Sequence, residues 1–214
     1  MTDRRRIAGA GADFDAQRRC LLTQVSFAVE AGIDVLQIRE RDLEAGPLFE
    51  LTVEAVGIAR GFRTRIVVND RLDVAMAAGA DGVHLREDSV GAEAVRRVAP
   101  AGFLIGRSVH TAEDAAYLGR TVDYLIAGTV WSTASKPPSH PLLGPVGLAA
   151  LVRQAKVPVM AIGGVTLERL EAVAGAGAAG VAAIGLFIQQ GTSADTSVVC
   201  GAVPLHDLAR RVRA

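Results

Sequence analysis

Short apolar runs alternate with longer amphipathic stretches along most of the chain. The runs are IDVLQI (33–38), RIVVND (65–70), DGVHL (81–85), FLIGRS (103–108), DYLIAG (123–128), VPVMAIGG (157–164) and GVAAIG (180–185). Their length and β-branched content suit buried strands. Between them, stretches such as LFELTVEAVGIARGF (48–62) and TLERLEAVAGAGA (166–178) carry apolar residues at helical spacing. The segments EAGID, AAGADG and GAGAAG precede several runs. Gly at such a position suits a helix C-cap that turns into a strand. Strands alternating with helices imply βαβ units and a parallel sheet.

Seven strands are readable directly, and residues 6–11 are the candidate for an eighth, irregular first one. The expected fold is therefore a single-domain (β/α)8 barrel over residues 1–214, with roughly the first 15 residues irregular. A doubly wound open sheet is the rival. No GxGxxG follows an early strand, and GAGADF near the start is a weak imitation of one.

In a parallel barrel the site forms at the C-terminal ends of the strands. The polar residues of this chain collect there. At and just beyond the end of 33–38 stand Gln37, Arg39 and Arg41, two residues apart and so on one face if the strand stays extended. Two guanidiniums beside an amide suit a diphosphate, because Arg forms forked bonds to phosphate oxygens. The competing reading pairs Arg39 and Arg41 with Glu40, Asp42 or other carboxylates. Asn69 and Asp70 close the next run, where a helix N-cap role competes with a functional one. Glu87 and Asp88 follow 81–85, and carboxylates from two strand ends are the hard donors that Mg²⁺ takes. Ser108 and His110 end another run. Gly163, Gly164 and Gly185 end the last two, where backbone N–H groups can approach a phosphate closely. His84, inside an apolar strand, reads as a satisfied core histidine.

Residues 128–147, GTVWSTASKPPSHPLLGPVG, form a 20-residue polar loop between two hydrophobic segments. Loops of that length in compact domains are commonly functional. Trp131, Leu142 and Leu143 need something to pack against, so the loop is not a solvated linker.

Composition narrows the classes of partner. The 214 residues carry 23 Lys and Arg against 23 Asp and Glu, and half are hydrophobic. A balanced charge argues against broad attraction to nucleic acid or to a membrane. No apolar run reaches spanning length. The N-terminus lacks a secretory h-region. Cys20 and Cys200 have no His or Cys at ligand spacing and read as structural, reduced thiols of a cytoplasmic protein. No CxxC or HExxH suggests zinc. A homo-oligomer is left open.

Together the segments QIRERDL, IVVNDRLDVAMAAGADGVHL, IGRSVHT, GTVWSTASKP and VPVMAIGGVT resemble the thiamine phosphate synthase/TenI family over roughly residues 20–190. The resemblance implies a (β/α)8 barrel. It also implies a Mg²⁺-dependent transferase that joins hydroxymethylpyrimidine diphosphate to thiazole phosphate and releases diphosphate. On that resemblance Gln37, Arg39 and Arg41 (a lysine in the family) bind the pyrimidine diphosphate, with Asn69 beside them. Asp70 and Asp88 ligate Mg²⁺, although the family's Gly-Gln-Glu-Asp is shortened here to Arg86-Glu87-Asp88. Ser108 lies near the diphosphate. Thr133 and Ser135 face the thiazole phosphate, and Lys136 faces the diphosphate. Gly163, Gly164 and Gly185 receive the thiazole phosphate, Gly185 where synthases often have Ser. Lys136, Ser108 and Arg39 are the residues expected to act in catalysis. The alternative within the family is a TenI-type thiazole tautomerase or a related non-catalytic phosphate-binding barrel. GRSVHT, HLREDS and AAIGLF resemble that branch, yet Thr129 stands where a tautomerase needs its acid/base histidine.

Overall fold

The structure, a computed structural model, describes residues 1–188. Cys200 lies outside them. Helices and strands alternate: α1 Arg4–Ala8, α2 Phe14–Glu30, β1 Val35–Ile38, α3 Ala45–Ala59, β2 Arg65–Asn69, α4 Leu72–Ala77, β3 Gly82–Leu85, α5 Ala92–Val98, β4 Leu104–Val109, α6 Ala112–Leu118, β5 Tyr124–Gly128, α7 Gly144–Gln154, β6 Val159–Ile162, α8 Leu170–Gly175 and β7 Gly180–Ala182. All seven expected strands are present. They follow chain order in one sheet. The pairings with defined register are parallel, including Val35↔Arg65, Gly106↔Tyr124, Leu125↔Val159 and Met160↔Gly180. This is the strand–helix order of the (β/α) barrel class, with seven strands among the described residues.

The expected eighth strand at 6–11 is not one. Residues 4–8 form α1, because the Asp3 side chain accepts a hydrogen bond from the Arg6 backbone N–H and caps the turn. The residue that lies against β1 is Thr2, whose N–H donates to the Gln37 carbonyl at 2.9 Å. Its hydroxyl donates to Glu40 at 2.6 Å and accepts from the Arg39 N–H at 2.9 Å.

The described residues fall into two compact units. The first comprises Met1–Val83 and residues 184–188. Its core is Leu21, Val25, Ile38, Leu51, Ala55, Ile66, Val67 and Val68, all essentially inaccessible to solvent. The strand residues among them belong to β1 and β2, whose continuous apolar runs suit strands covered on both faces. Cys20 is buried here on α2. The second unit is His84–Ala183, with Leu85, Ile105, Leu125, Leu148, Leu151 and Ala161 at its centre.

One ionic cluster braces the first unit. Arg4, itself buried, donates to Glu40 at 3.0 Å and to both oxygens of Asp42 at 2.7 and 2.5 Å. So Glu40 and Asp42 serve α1. Burial pushes the Glu40 carboxyl up, against the pull of its bonds from Thr2 and Arg4. The Arg4 guanidinium holds Asp42 down at about 2, from an ordinary 3.8. A folded pKa below the unfolded one means stability that is complete above about pH 4 and is lost as pH falls toward 2. Urea unfolding of wild type should therefore weaken through that window more steeply than unfolding of Asp42→Asn. Equal slopes would show that the pair contributes nothing.

Candidate active site

In the first unit, β1 and β2 run side by side with Ile38 registered to Val68, so their C-terminal ends lie together. Gln37, on β1, is 3 % exposed, and neither its amide oxygen nor its amide nitrogen has a hydrogen-bond partner among the described residues. Arg39 is half-buried just past the strand, and Arg41 is exposed. Asn69 ends β2. Asp70 follows with φ of 63°, in the left-handed region that Asp tolerates better than most side chains. The N-cap position of α4 is Arg71, without a side-chain cap bond of its own, and Arg71 pairs with Asp73 at 2.5 Å. Gly185 opens a short 3-10 turn at Gly185–Phe187 and is exposed. A Cβ there would meet the Arg6 guanidinium at 3.4 Å. A cation thus stands beside the glycine that replaces the family's serine.

In the second unit, Arg86-Glu87-Asp88 follows β3. Arg107, 7 % exposed on β4, braces this short loop by donating to the carbonyls of Glu87 and Val90 at 2.9 Å and of Ser89 at 3.3 Å. Arg86 donates to Asp88 at 2.5 Å, and Glu87 lies 3.5 Å from His110. Asp88 is thus paired to a cation two residues before it.

The loop after β5 is shorter than expected. It covers 129–143, because Gly128 completes β5 and α7 starts at Gly144 with Pro145 in its first turn. Its two feet are pinned. Val130 and Trp131 N–H groups donate to Ile162 and Gly163 carbonyls at 2.9 and 3.0 Å. Those of Leu143 and Gly144 donate to Thr129 and Val130 carbonyls at 2.9 and 3.0 Å. Thr129 is buried at the first foot. Trp131 is half-buried, with the Arg169 guanidinium over its ring at 5.1 Å. Leu143 is half-buried, but Leu142 is half exposed and needs no packing partner, which corrects that expectation. At the tip, Thr133 and Ser135 hydroxyls lie 3.3 Å apart and the Lys136 N–H donates to the Thr133 carbonyl at 3.1 Å. The Lys136 side chain is exposed.

Gly163 and Gly164 follow β6 with φ of 98° and 61°. A Cβ on Gly163 would meet Thr129 at 2.4 Å, and one on Gly164 would meet the Ser132 carbonyl at 2.5 Å. Only glycine lets this corner pass under the loop. Arg169 closes it by donating to the Gly164 carbonyl.

Ser108 is half-buried on β4, and its Oγ lies 3.0 Å from Nε2 of His84. His84 is buried, as the sequence suggested, and Nδ1 of its ring lies 3.3 Å from the Tyr124 hydroxyl. Burial, with Arg107 nearby, lowers its pKa to about 4, so the ring is neutral near pH 7. Tyr124, Arg107, Arg169, Arg4 and Arg6 were not singled out from sequence. The one tyrosine at the head of the apolar run YLIAG (124–128) was the available signal.

No group of three His, Cys, Asp or Glu side chains capable of holding a metal occurs among the described residues. No described helix is long and apolar enough to cross a membrane.

Residues 7–187 match the family model described as Thiamine monophosphate synthase. The chain belongs to that family. A thiamine-phosphate synthase of Roseiflexus castenholzii is 36% identical over 174 residues, 81% of this chain and 76% of that one. Another, from Anaeromyxobacter dehalogenans, is 39% identical over 81% of this chain and 75% of its own. A thiamine phosphate pyrophosphorylase from Pyrococcus furiosus superposes with a TM-score of 0.73 at 28% identity, covering 90% of this chain and 87% of that one. A 3-hexulose-6-phosphate synthase shares the fold alone, with a TM-score of 0.65 at 19% identity. The (β/α)-barrel class read from the alternation is thus the class of these relatives.

Proposed function

We propose that this chain is a thiamine-phosphate synthase, a Mg²⁺-dependent transferase that couples hydroxymethylpyrimidine diphosphate to thiazole phosphate and releases diphosphate. The observation that carries the reading is Gln37. A buried amide without partners costs about 1–3 kcal/mol and is kept where a ligand completes it. A pyrimidine nitrogen beside an exocyclic amino group offers the acceptor and donor that an amide needs. Gln37, Asp70 and Lys136, which the family resemblance places around the substrate, favour the synthase over the tautomerase. So does Thr129, which is buried and has no imidazole.

The residues also fit a magnesium ion. Asp70 is a hard oxygen donor just past the end of β2, in a left-handed conformation. Mg²⁺ needs only one or two protein carboxylates when substrate phosphates and waters complete it. Asp70 is the principal protein ligand on this reading, and Asp88 is the second carboxylate that the family resemblance implies. When bound, the ion supplies charge stabilisation to the departing diphosphate.

The chain's own side chains do the rest. Arg39, Arg41 and Lys136 hold the diphosphate, and Asn69 positions the substrate beside Asp70. The bond between the pyrimidine methylene carbon and the bridging oxygen breaks, and its electron pair leaves with diphosphate. The thiazole nitrogen then donates its lone pair to the methylene carbon. No proton is transferred, so no general base is required. Thr133, Ser135, Gly163, Gly164 and Gly185 hold the thiazole phosphate, and the 129–143 loop excludes water that would trap the cation. The products are small and soluble, and the reaction is placed in the cytoplasm.

The test is Gln37→Leu. The apolar near-isostere should raise stability by about 1 kcal/mol, since it removes two unmet polar groups. It should also raise KM for the pyrimidine diphosphate about tenfold or more. An unchanged KM would remove Gln37 from the substrate site.

A further inference from the structure

Three side chains from consecutive strands form a hydrogen-bonded row: Tyr124 on β5, His84 on β3 and Ser108 on β4. Its polarity follows from counting protons. A neutral imidazole has one donor nitrogen and one acceptor. The Tyr124 phenol stays protonated, because burial raises its pKa further. Its hydroxyl hydrogen needs an acceptor, and the one within reach among the described residues is Nδ1 of His84. Nδ1 is therefore the acceptor, and the ring proton sits on Nε2, 3.0 Å from the Ser108 oxygen. That oxygen receives the Nε2–H bond, so the serine's own hydrogen points away from the histidine. In the opposite arrangement Ser108 would donate to His84 and would present only lone pairs to a ligand, which repel an anion.

The surroundings are shaped for this row. Tyr124 is registered to Gly106 across β4 and β5, and a Cβ on Gly106 would lie 2.0 Å from the tyrosine ring. Glycine there is what lets the ring lie across the strand. The His84 and Tyr124 rings are stacked, with centroids 5.7 Å apart and planes at 29°. Gly106 and Ser108, two residues apart, share a face of β4.

We infer that Tyr124 and His84 are positioning residues that set the Ser108 hydroxyl as an outward hydrogen-bond donor to a phosphoryl oxygen. The identity of that oxygen rests on the proposed synthase reading, while the polarity of the row does not. The row acts without any change of protonation. It selects one rotor of a hydroxyl that would otherwise spend part of its time facing the wrong way.

The experiment uses ¹⁵N-labelled full-length protein and a long-range ¹H–¹⁵N spectrum of its histidine rings, with His84→Gln to assign the signal. Wild type should show the Nε2–H tautomer for His84. Tyr124→Phe keeps the ring in the space opposite Gly106 and removes the donor. It should admit the Nδ1–H tautomer and weaken binding of inorganic diphosphate about tenfold. Ser108→Ala should leave the tautomer unchanged, because Tyr124 still occupies Nδ1. Adding Tyr124→Phe to Ser108→Ala should cost no further diphosphate affinity. An Nδ1–H tautomer in wild type, or additive losses in the double variant, would overturn the inference. None of these readouts needs turnover, so a protein without synthase activity would refute the function and leave the row to be judged by its own spectrum.

Discussion

Asp70→Asn should slow thiamine phosphate formation at saturating substrates and Mg²⁺ by about 10²-fold or more, with little change in thermal stability. The substitution removes a charge and keeps the shape. Asn tolerates the left-handed backbone at φ of 63° as well as Asp does, so the fold is not strained. Asp70→Ala would add a backbone penalty to the chemical one and is the less clean variant. The size follows from the donor set. Asp88 is already held by Arg86 at 2.5 Å, so on the proposed reading Asp70 is the principal carboxylate for the ion. Losing it removes several kcal/mol of stabilisation from the departing diphosphate. Wild-type turnover in Asp70→Asn, or full turnover of wild type in EDTA, would show the metal assignment to be wrong.

Lys136→Ala should lower kcat on the order of 10²-fold, while KM for thiazole phosphate changes much less. Lys136 carries the only cation of the 129–143 loop and is exposed at its tip. The tip is a turn closed from Lys136 N–H to the Thr133 carbonyl, and Pro137 and Pro138 stiffen the chain beyond it. Because both feet of the loop are pinned, the ammonium is carried on a short, defined span. Its charge matters most when negative charge grows on the leaving oxygen, and that places the effect in kcat. Lys136→Arg should restore only part of the rate, since the guanidinium is bulkier and differs in reach. A raised KM for thiazole phosphate with unchanged kcat would instead make Lys136 a binding residue for the acceptor.

The framework was legible because buried parallel strands announce themselves as apolar runs preceded by glycine-bearing helix ends. Six of the seven lay within their expected runs, and β4 extends one residue beyond its run, to Val109. Residues 6–11 misled because IAGAG has too few apolar positions to distinguish a strand from a capped turn of helix. What decides for α1 is Asp3 at its start and the burial of Arg4 against Glu40 and Asp42, partners more than thirty residues away. The end of the polar loop was misplaced because Pro145 reads as a loop residue, although proline is at home in a first helical turn.

The candidate site divides along the same line. Strand-end residues such as Gln37, Asp70 and Ser108 could be named from position alone, since the barrel rule depends only on where a strand stops. Pairings across strands could not. His84 was read as a core residue and Ser108 as a ligand residue, yet they are neighbours. Tyr124 joins them only because its register places it opposite a glycine. Arg107 shapes the Glu87–Asp88 loop through backbone carbonyls, which carry no sequence signature.

The measurement that bears most directly on the account is product analysis of the purified chain. It is supplied with hydroxymethylpyrimidine diphosphate, thiazole phosphate and Mg²⁺, and in parallel with a thiazole carboxylate phosphate. The synthase reading predicts thiamine phosphate and diphosphate in equal amounts from the first mixture, and no isomerisation in the second. Isomerisation of the carboxylate without any thiamine phosphate would contradict it and move the chain to the tautomerase branch.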